Sequence, residues 1–103
     1  MKKKTTQYKL PKQYTVGGQT VDIQEVEQLG GGCLGQCSVS EGWLKVANKF
    51  GSSVQSDTGK LNTLYHEIVH TILDTMGESE LSHNEKFVCS FAGFLTEVLT
   101  TLK

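Results

Sequence analysis

No apolar run in this sequence approaches the roughly 20 residues that would carry a helix across a bilayer. The opening Met1-Lys2-Lys3-Lys4 leads into polar Thr5-Thr6-Gln7, so it does not read as a secretory signal. Neither sign of charge dominates. Ten Lys and Arg face eleven Asp and Glu, for a formal net charge of −1. That balance gives no electrostatic reason to expect a nucleic-acid partner, and Lys2-Lys3-Lys4 is the only feature pointing that way. Cysteine is scarce: Cys33, Cys37 and Cys89, an odd number with no export signal, favour reduced thiols in a cytoplasmic setting. Cys33 and Cys37 lack the second pair that zinc ribbons and fingers use, so they read as ordinary sheet or turn cysteines. With 37% hydrophobic and 20% charged residues, the chain is not disordered, fibrous or membrane-like. Its 103 residues suffice for one core. The expectation is a single cytoplasmic domain over residues 13–103, preceded by a flexible basic segment over 1–12, with no membrane partner and the oligomeric state open.

Within that domain the hydrophobic period changes once. Tyr14-Thr15-Val16, the turn Gly17-Gly18 and Thr20-Val21-Asp22-Ile23 alternate as a hairpin with one buried side. Gly30-Gly31-Gly32 breaks the pattern. Cys33 to Val39 and Trp43 to Ala47, around Ser40-Glu41-Gly42, predict a second hairpin. Residues 48–56 read as a polar loop. From Asp57 the period becomes helical, with Leu61, Leu64, Tyr65, Ile68, Val69, Ile72, Leu73 and Met76 spaced three or four apart. Ser56 or Asp57 can cap this helix and Gly77 can end it. A second helix places Phe87, Val88, Phe91, Ala92, Leu95, Val98, Leu99 and Leu102 on one apolar face. The predicted fold is α+β: a small twisted antiparallel sheet of three or four strands packed on two long C-terminal helices.

The chain has three histidines, and two fall in the five-residue window His66-Glu67-Ile68-Val69-His70. Residues i and i+4 of a helix share a face, so two imidazoles converge on one point, as a tetrahedral zinc requires. Both lie at the border of the apolar arc. Glu67 is turned further round the helix, near the metal without being aimed at it. That suits a general base acting on a metal-activated water. Coincidence on a solvated helix face is the alternative, and the combination of spacing with an amphipathic pattern argues against it.

A catalytic zinc keeps three protein ligands and one open position. Glu85 borders the buried stripe of the second helix, about 20° from Ala92, whereas His83 points toward solvent. Glu85 is therefore the expected third ligand, with His83 as the runner-up. The competing use of Glu85 is a capping box, since Ser82-His83-Asn84-Glu85 has that pattern. Asp74, one turn past His70, is better placed to orient an imidazole than to bind the ion.

His66-Glu67-Ile68-Val69-His70 followed by Asn84-Glu85 on a second helix resembles the gluzincin branch of the zincin metallopeptidases. The small size and the β-half before the helix pair are similar to minigluzincins and to the compact ImmA/IrrE-like peptidases carried by phages and mobile elements. The resemblance is carried by residues 64–89 and elsewhere only by the order of elements. It implies one zinc per chain held by His66, His70 and Glu85, Glu67 as base, and a peptide or protein substrate. Thermolysin-like members place an aspartate four residues after the glutamate ligand to orient a histidine; here that position is Cys89, and Asp74 is the substitute candidate. For the oxyanion-stabilising residue of such enzymes the candidates are His83 and Tyr14. Such enzymes bind peptide along a sheet edge, for which Trp43, Leu44, Lys45 and Val46 or their hairpin partner are the candidates. The function expected is zinc-dependent peptide-bond hydrolysis. The alternative is an inactive zincin-like binding or structural protein in which zinc stabilises the fold.

Overall fold

The computed structural model describes residues 10–103. Four strands, β1 (Gln13–Val16), β2 (Gln19–Val26), β3 (Gly35–Ser38) and β4 (Trp43–Ala47), form one sheet in the order β1-β2-β4-β3. A two-stranded ribbon of β5 (Lys49–Phe50) and β6 (Ser53–Val54) follows. Three helices complete the chain: α1 (Asp57–Met76), α2 (Ser79–Ser82) and α3 (Glu85–Thr101). The α+β class and both hairpins are as expected. Gly17 and Gly18, with φ of 57° and 81°, make the tight turn of the first hairpin.

The sheet is mixed rather than antiparallel. Each hairpin is antiparallel within itself, but β2 and β4 run parallel, in register from Asp22 opposite Trp43 to Val26 opposite Ala47. The composition of the strands accounts for this order. Leu44, Val46 and Ala47 of β4 are fully buried, so β4 belongs in the interior, while glycine-containing, polar β3 takes the edge. Trp43 to Val46 therefore have neighbours on both sides and cannot offer a free edge; that correction passes the edge to β3. The loop expected over 48–56 contains the β5–β6 ribbon, tied down by Gln55 N–H donating to the Asn48 carbonyl at 2.8 Å.

Residues 1–9 of the expected flexible segment lie outside the described residues. Leu10 is buried in the sheet core with Val21, Leu44, Val46, Leu61 and Leu64, and the Lys12 carbonyl accepts from Ile23 N–H at 2.8 Å. Leu10 and Lys12 thus pack against and pair with the sheet.

Helix α1 starts at Ser56, whose Oγ accepts from Gly59 N–H at 3.0 Å, and ends at Gly77 in the left-handed region, φ 80°. Its first half packs on the sheet. Its second half supplies Val69 and Leu73 to a smaller core with Val88 and Ala92 of α3. The broad apolar face expected for the second helix is only partly used: Phe91, Val98 and Leu102 are about half exposed or more. The stripe that meets α1 is narrow, and the remaining apolar residues point outward.

Candidate metal centre

The two histidines sit where α1 passes from the sheet core to the α3 core. His66 and His70 are one turn apart, and both remain mostly buried while their Nε2 atoms face α3. Across the gap, Asn84 caps α3: its side chain accepts from Phe87 N–H at 3.1 Å. Glu85 is therefore the first residue of the helix and is not its cap. Its carboxylate turns to α1, with Oε1 3.4 Å from His66 Nε2 and Oε2 3.5 Å from His70 Nε2. One donor atom from each of His66, His70 and Glu85 lies within 4.8 Å of the other two.

These separations can be compared with those of an ion pair and of a metal site. A charge-assisted N–H···O contact closes to about 2.7–2.9 Å, shorter than either distance. A tetrahedral ion with bonds of about 2.0–2.1 Å holds its donor atoms about 3.3 Å apart. The observed 3.4 and 3.5 Å, one to each oxygen of Glu85, are each close to that separation, and one donor atom from each of the three residues falls within 4.8 Å of the others. Two neutral imidazoles and one carboxylate are also a donor set that zinc accepts. The residues fit the ion.

Glu67 lies on the sheet side of the same helix and is 8% exposed. The edge strand β3 comes close enough to cover it, since a Cβ on Gly35 would stand 2.7 Å from Thr63 Cγ2 and 2.9 Å from Glu67 Cγ. Only a glycine permits that approach. Burial raises the Glu67 carboxyl above its ordinary pKa; a hydrogen bond from the Cys37 thiol and the nearby His70 and His66 pull it partly back. Burial, reinforced by the Glu67 carboxylate, in turn pushes the Cys37 thiol far upward and keeps it protonated. Cys37 is thus the hydrogen-bond partner of the candidate base as well as a sheet residue.

The cleft has two lobes that share Glu67, His70 and Glu85. One, about 500 Å³, is bounded by Gln36, Cys37, Trp43, Asp74, Ser82 and His83. The other, about 560 Å³, is bounded by residues of the Gly32–Gly35 stretch together with Asn62, Thr63, His66 and Cys89. Trp43 reaches the first lobe through its side chain, with Nε1–H donating to Glu41 Oε1 at 2.8 Å and Lys45 Nζ over the ring at 4.7 Å.

The remaining candidates differ in whether they reach the cleft and in what they contact there. Tyr14 lines neither lobe; its hydroxyl lies 2.8 Å from Thr71 Oγ1, which donates to the Ile68 carbonyl, so the phenol proton is already engaged. His83 does line the cleft, but its Nδ1 lies 2.8 Å from the Ser79 carbonyl. In the neutral ring that contact holds the proton on Nδ1 and leaves Nε2 without one to donate. Cys89 Sγ stands 4.0 Å from Glu85 Oε1 and touches the carboxylate rather than an imidazole. Asp74 lines the cleft yet has no hydrogen bond to either imidazole among the described residues. The partner of His70 Nδ1 is Ser82 Oγ, at 3.1 Å. Ser82 went unrecognised in the sequence because the capping-box pattern already explained its hydroxyl.

No protein-family model, curated protein or solved structure matches the chain. Among the described residues, no helix is long and apolar enough to cross a membrane.

Proposed function

We propose that this domain is a zinc-dependent peptidase, with His66, His70 and Glu85 as metal ligands and Glu67 as general base. The observation that carries this reading is the triad: His66, His70 and Glu85 bring one donor atom each within 4.8 Å of one another, with a buried carboxylate on the wall shared by both lobes of an open cleft. A bound zinc ion supplies Lewis acidity, polarising a carbonyl and lowering the pKa of water at its open position. His66 and His70 present Nε2 from one helix and Glu85 closes the set from the next. Glu67, raised by burial toward neutrality, is suited to accept the proton of the attacking water and return it to the leaving amine. The free edge of β3 borders the cleft and offers unpaired backbone groups to an extended peptide.

A second reading, a zinc-stabilised binding protein without catalysis, draws support from the oxyanion side. Tyr14 is tied to Thr71, and the neutral ring of His83 would hold its proton toward the Ser79 carbonyl. Neither supplies a ready donor to a developing oxyanion.

Metal analysis and peptide cleavage test the two together. The purified chain is expected to carry one zinc, and Glu67→Gln to keep the metal while losing cleavage of a mixed peptide library. A Glu67→Gln variant that cleaves as well as wild type refutes the mechanism. Zinc binding that raises the melting temperature, with no cleavage by wild type, establishes the second reading instead.

A further inference from the structure

The stretch Ser82-His83-Asn84-Glu85 contains two side chains able to cap α3, and Asn84 takes that role. Ser82 is left one residue pair earlier, at the end of α2, only 5% exposed and held by its N–H donating to the Glu78 carbonyl at 3.0 Å. Its Oγ lies 3.1 Å from His70 Nδ1, while Nε2 on the other side of the same ring faces Glu85 at 3.5 Å. A neutral imidazole has one N–H. If Nε2 is to offer its lone pair to a metal, the proton sits on Nδ1 and needs an acceptor, which a buried site must supply from the protein.

We propose that Ser82 is the positioning residue of the metal centre: its hydroxyl accepts from His70 Nδ1–H, fixing the tautomer and the plane of the ring so that Nε2 faces the ion. The inference rests on the zinc reading of the site and goes beyond it, because it assigns the orienting role to a residue of α2. The two acidic or thiol alternatives do not take that role: Cys89 contacts Glu85, and Asp74 has no hydrogen bond to either imidazole among the described residues. The chemistry differs from that of a carboxylate partner. An uncharged hydroxyl pushes less electron density into the ring, so His70 is a weaker donor and the ion is held less tightly and stays more electrophilic. Because Ser82 belongs to α2, the same contact ties that short helix to α1.

Zinc affinity measured on the full chain by competition with a chromophoric chelator, beside the absorption spectrum of the Co2+ form, tests the assignment. Ser82→Ala is expected to weaken zinc binding about 10–100-fold and to shift the Co2+ ligand-field bands. Ser82→Thr, which keeps the hydroxyl, should restore near-wild-type binding, and Ser82→Asp should bind more tightly than wild type. A purely structural serine would lower the melting temperature of the metal-free chain and leave the affinity of the folded fraction unchanged, which overturns the proposal. Zinc held equally by wild type and Ser82→Ala overturns the role of Ser82 alone; a wild type that binds no zinc overturns the metal centre with it. A readout without any variant is long-range 1H–15N NMR of the zinc-loaded wild type. It is expected to find the His70 proton on Nδ1, and a proton-free Nδ1 refutes the assignment.

Discussion

Gly35→Ala tests how the edge strand and the candidate base depend on each other. The added methyl would stand 2.7 Å from Thr63 Cγ2, 2.9 Å from Glu67 Cγ and 3.1 Å from Glu67 Oε2. Ordinary carbon contacts lie at about 3.5–4.0 Å, so the overlap approaches an ångström on two side chains at once. Neither can step aside freely. Thr63 is 7% exposed with its Oγ1 donating to Gln55 Oε1 at 3.0 Å, and Glu67 is 8% exposed and bonded to Cys37. The remaining route is to lift β3, which is paired on one side only, through four residues of β4. Overpacking of this kind costs about 1–3 kcal/mol. For a domain near 100 residues that is roughly 5–20 °C in melting temperature. Gly93→Ala is the control, because its Cβ would meet nothing within 4 Å inside α3, and it should stabilise by about 0.5–1 kcal/mol. Urea denaturation with both variants gives the two signs side by side. A Gly35→Ala chain as stable as wild type would mean that β3 does not press on Glu67 as described.

Two further outcomes follow from the same site. Zinc at about 100 times its dissociation constant should stabilise the chain by about 2.7 kcal/mol, read as a chelator-reversible rise in melting temperature, and Glu85→Ala should abolish that rise. Stability should also fall with alkali. The Cys37 thiol is raised by burial above its unfolded value of about 8.5, so its contribution is complete below that pH and is lost as pH rises beyond it, by at most about 1.4 kcal/mol per pH unit. Cys37→Ala should flatten denaturation midpoints between pH 8.5 and 10; an unchanged slope refutes the assignment.

Much of this architecture could be read in the sequence because each part was specified locally. Gly17-Gly18 sets one turn, alternation marks the strands, and the 3.6-residue period with Ser56 and Gly77 delimits α1. His66 and His70 followed from the same period. What escaped depended on partners distant in the chain. The parallel pairing of β2 with β4 is decided by which strand needs most burial, a comparison between strands rather than a pattern within one. The apolar arc of α3 was real, but periodicity cannot say how much of it finds a partner, and Phe91, Val98 and Leu102 remain exposed. Glu85 was expected as a ligand from its helical phase, with a capping box as its competing use. It faces the histidines as the first residue of α3, because Asn84 and not Ser82 is the cap. Ser82 and Cys37 were invisible for a related reason. Each had a sufficient local explanation, as a cap and as a sheet residue, and only the folded chain brings the one to His70 and the other to Glu67.

That pattern bears on why the site lies where it does. Along α1 the buried residues of the sheet core are Leu61 and Leu64, with Tyr65 and Ile68 packed against it, and those of the α3 core are Val69 and Leu73. His66 and His70 fall at this changeover, on the flank that neither core fills. A polar group set deep in either core would need its hydrogen bonds supplied by apolar neighbours that have none to give. At the seam the partners come from three separate segments: Cys37 from β3 for Glu67, Ser82 from α2 for His70, and Glu85 from α3 for both imidazoles. Among the described residues the α3 core has four buried members against six in the sheet core, so a metal joining Glu85 to α1 would add a cross-link to the smaller core. Under the proposed reading, binding energy at the centre would then also be folding energy for the α1–α3 pair. Amide exchange should register the coupling as zinc-dependent protection of α3 out of proportion to that of the sheet. Equal protection of both halves would place the weak point of the fold elsewhere.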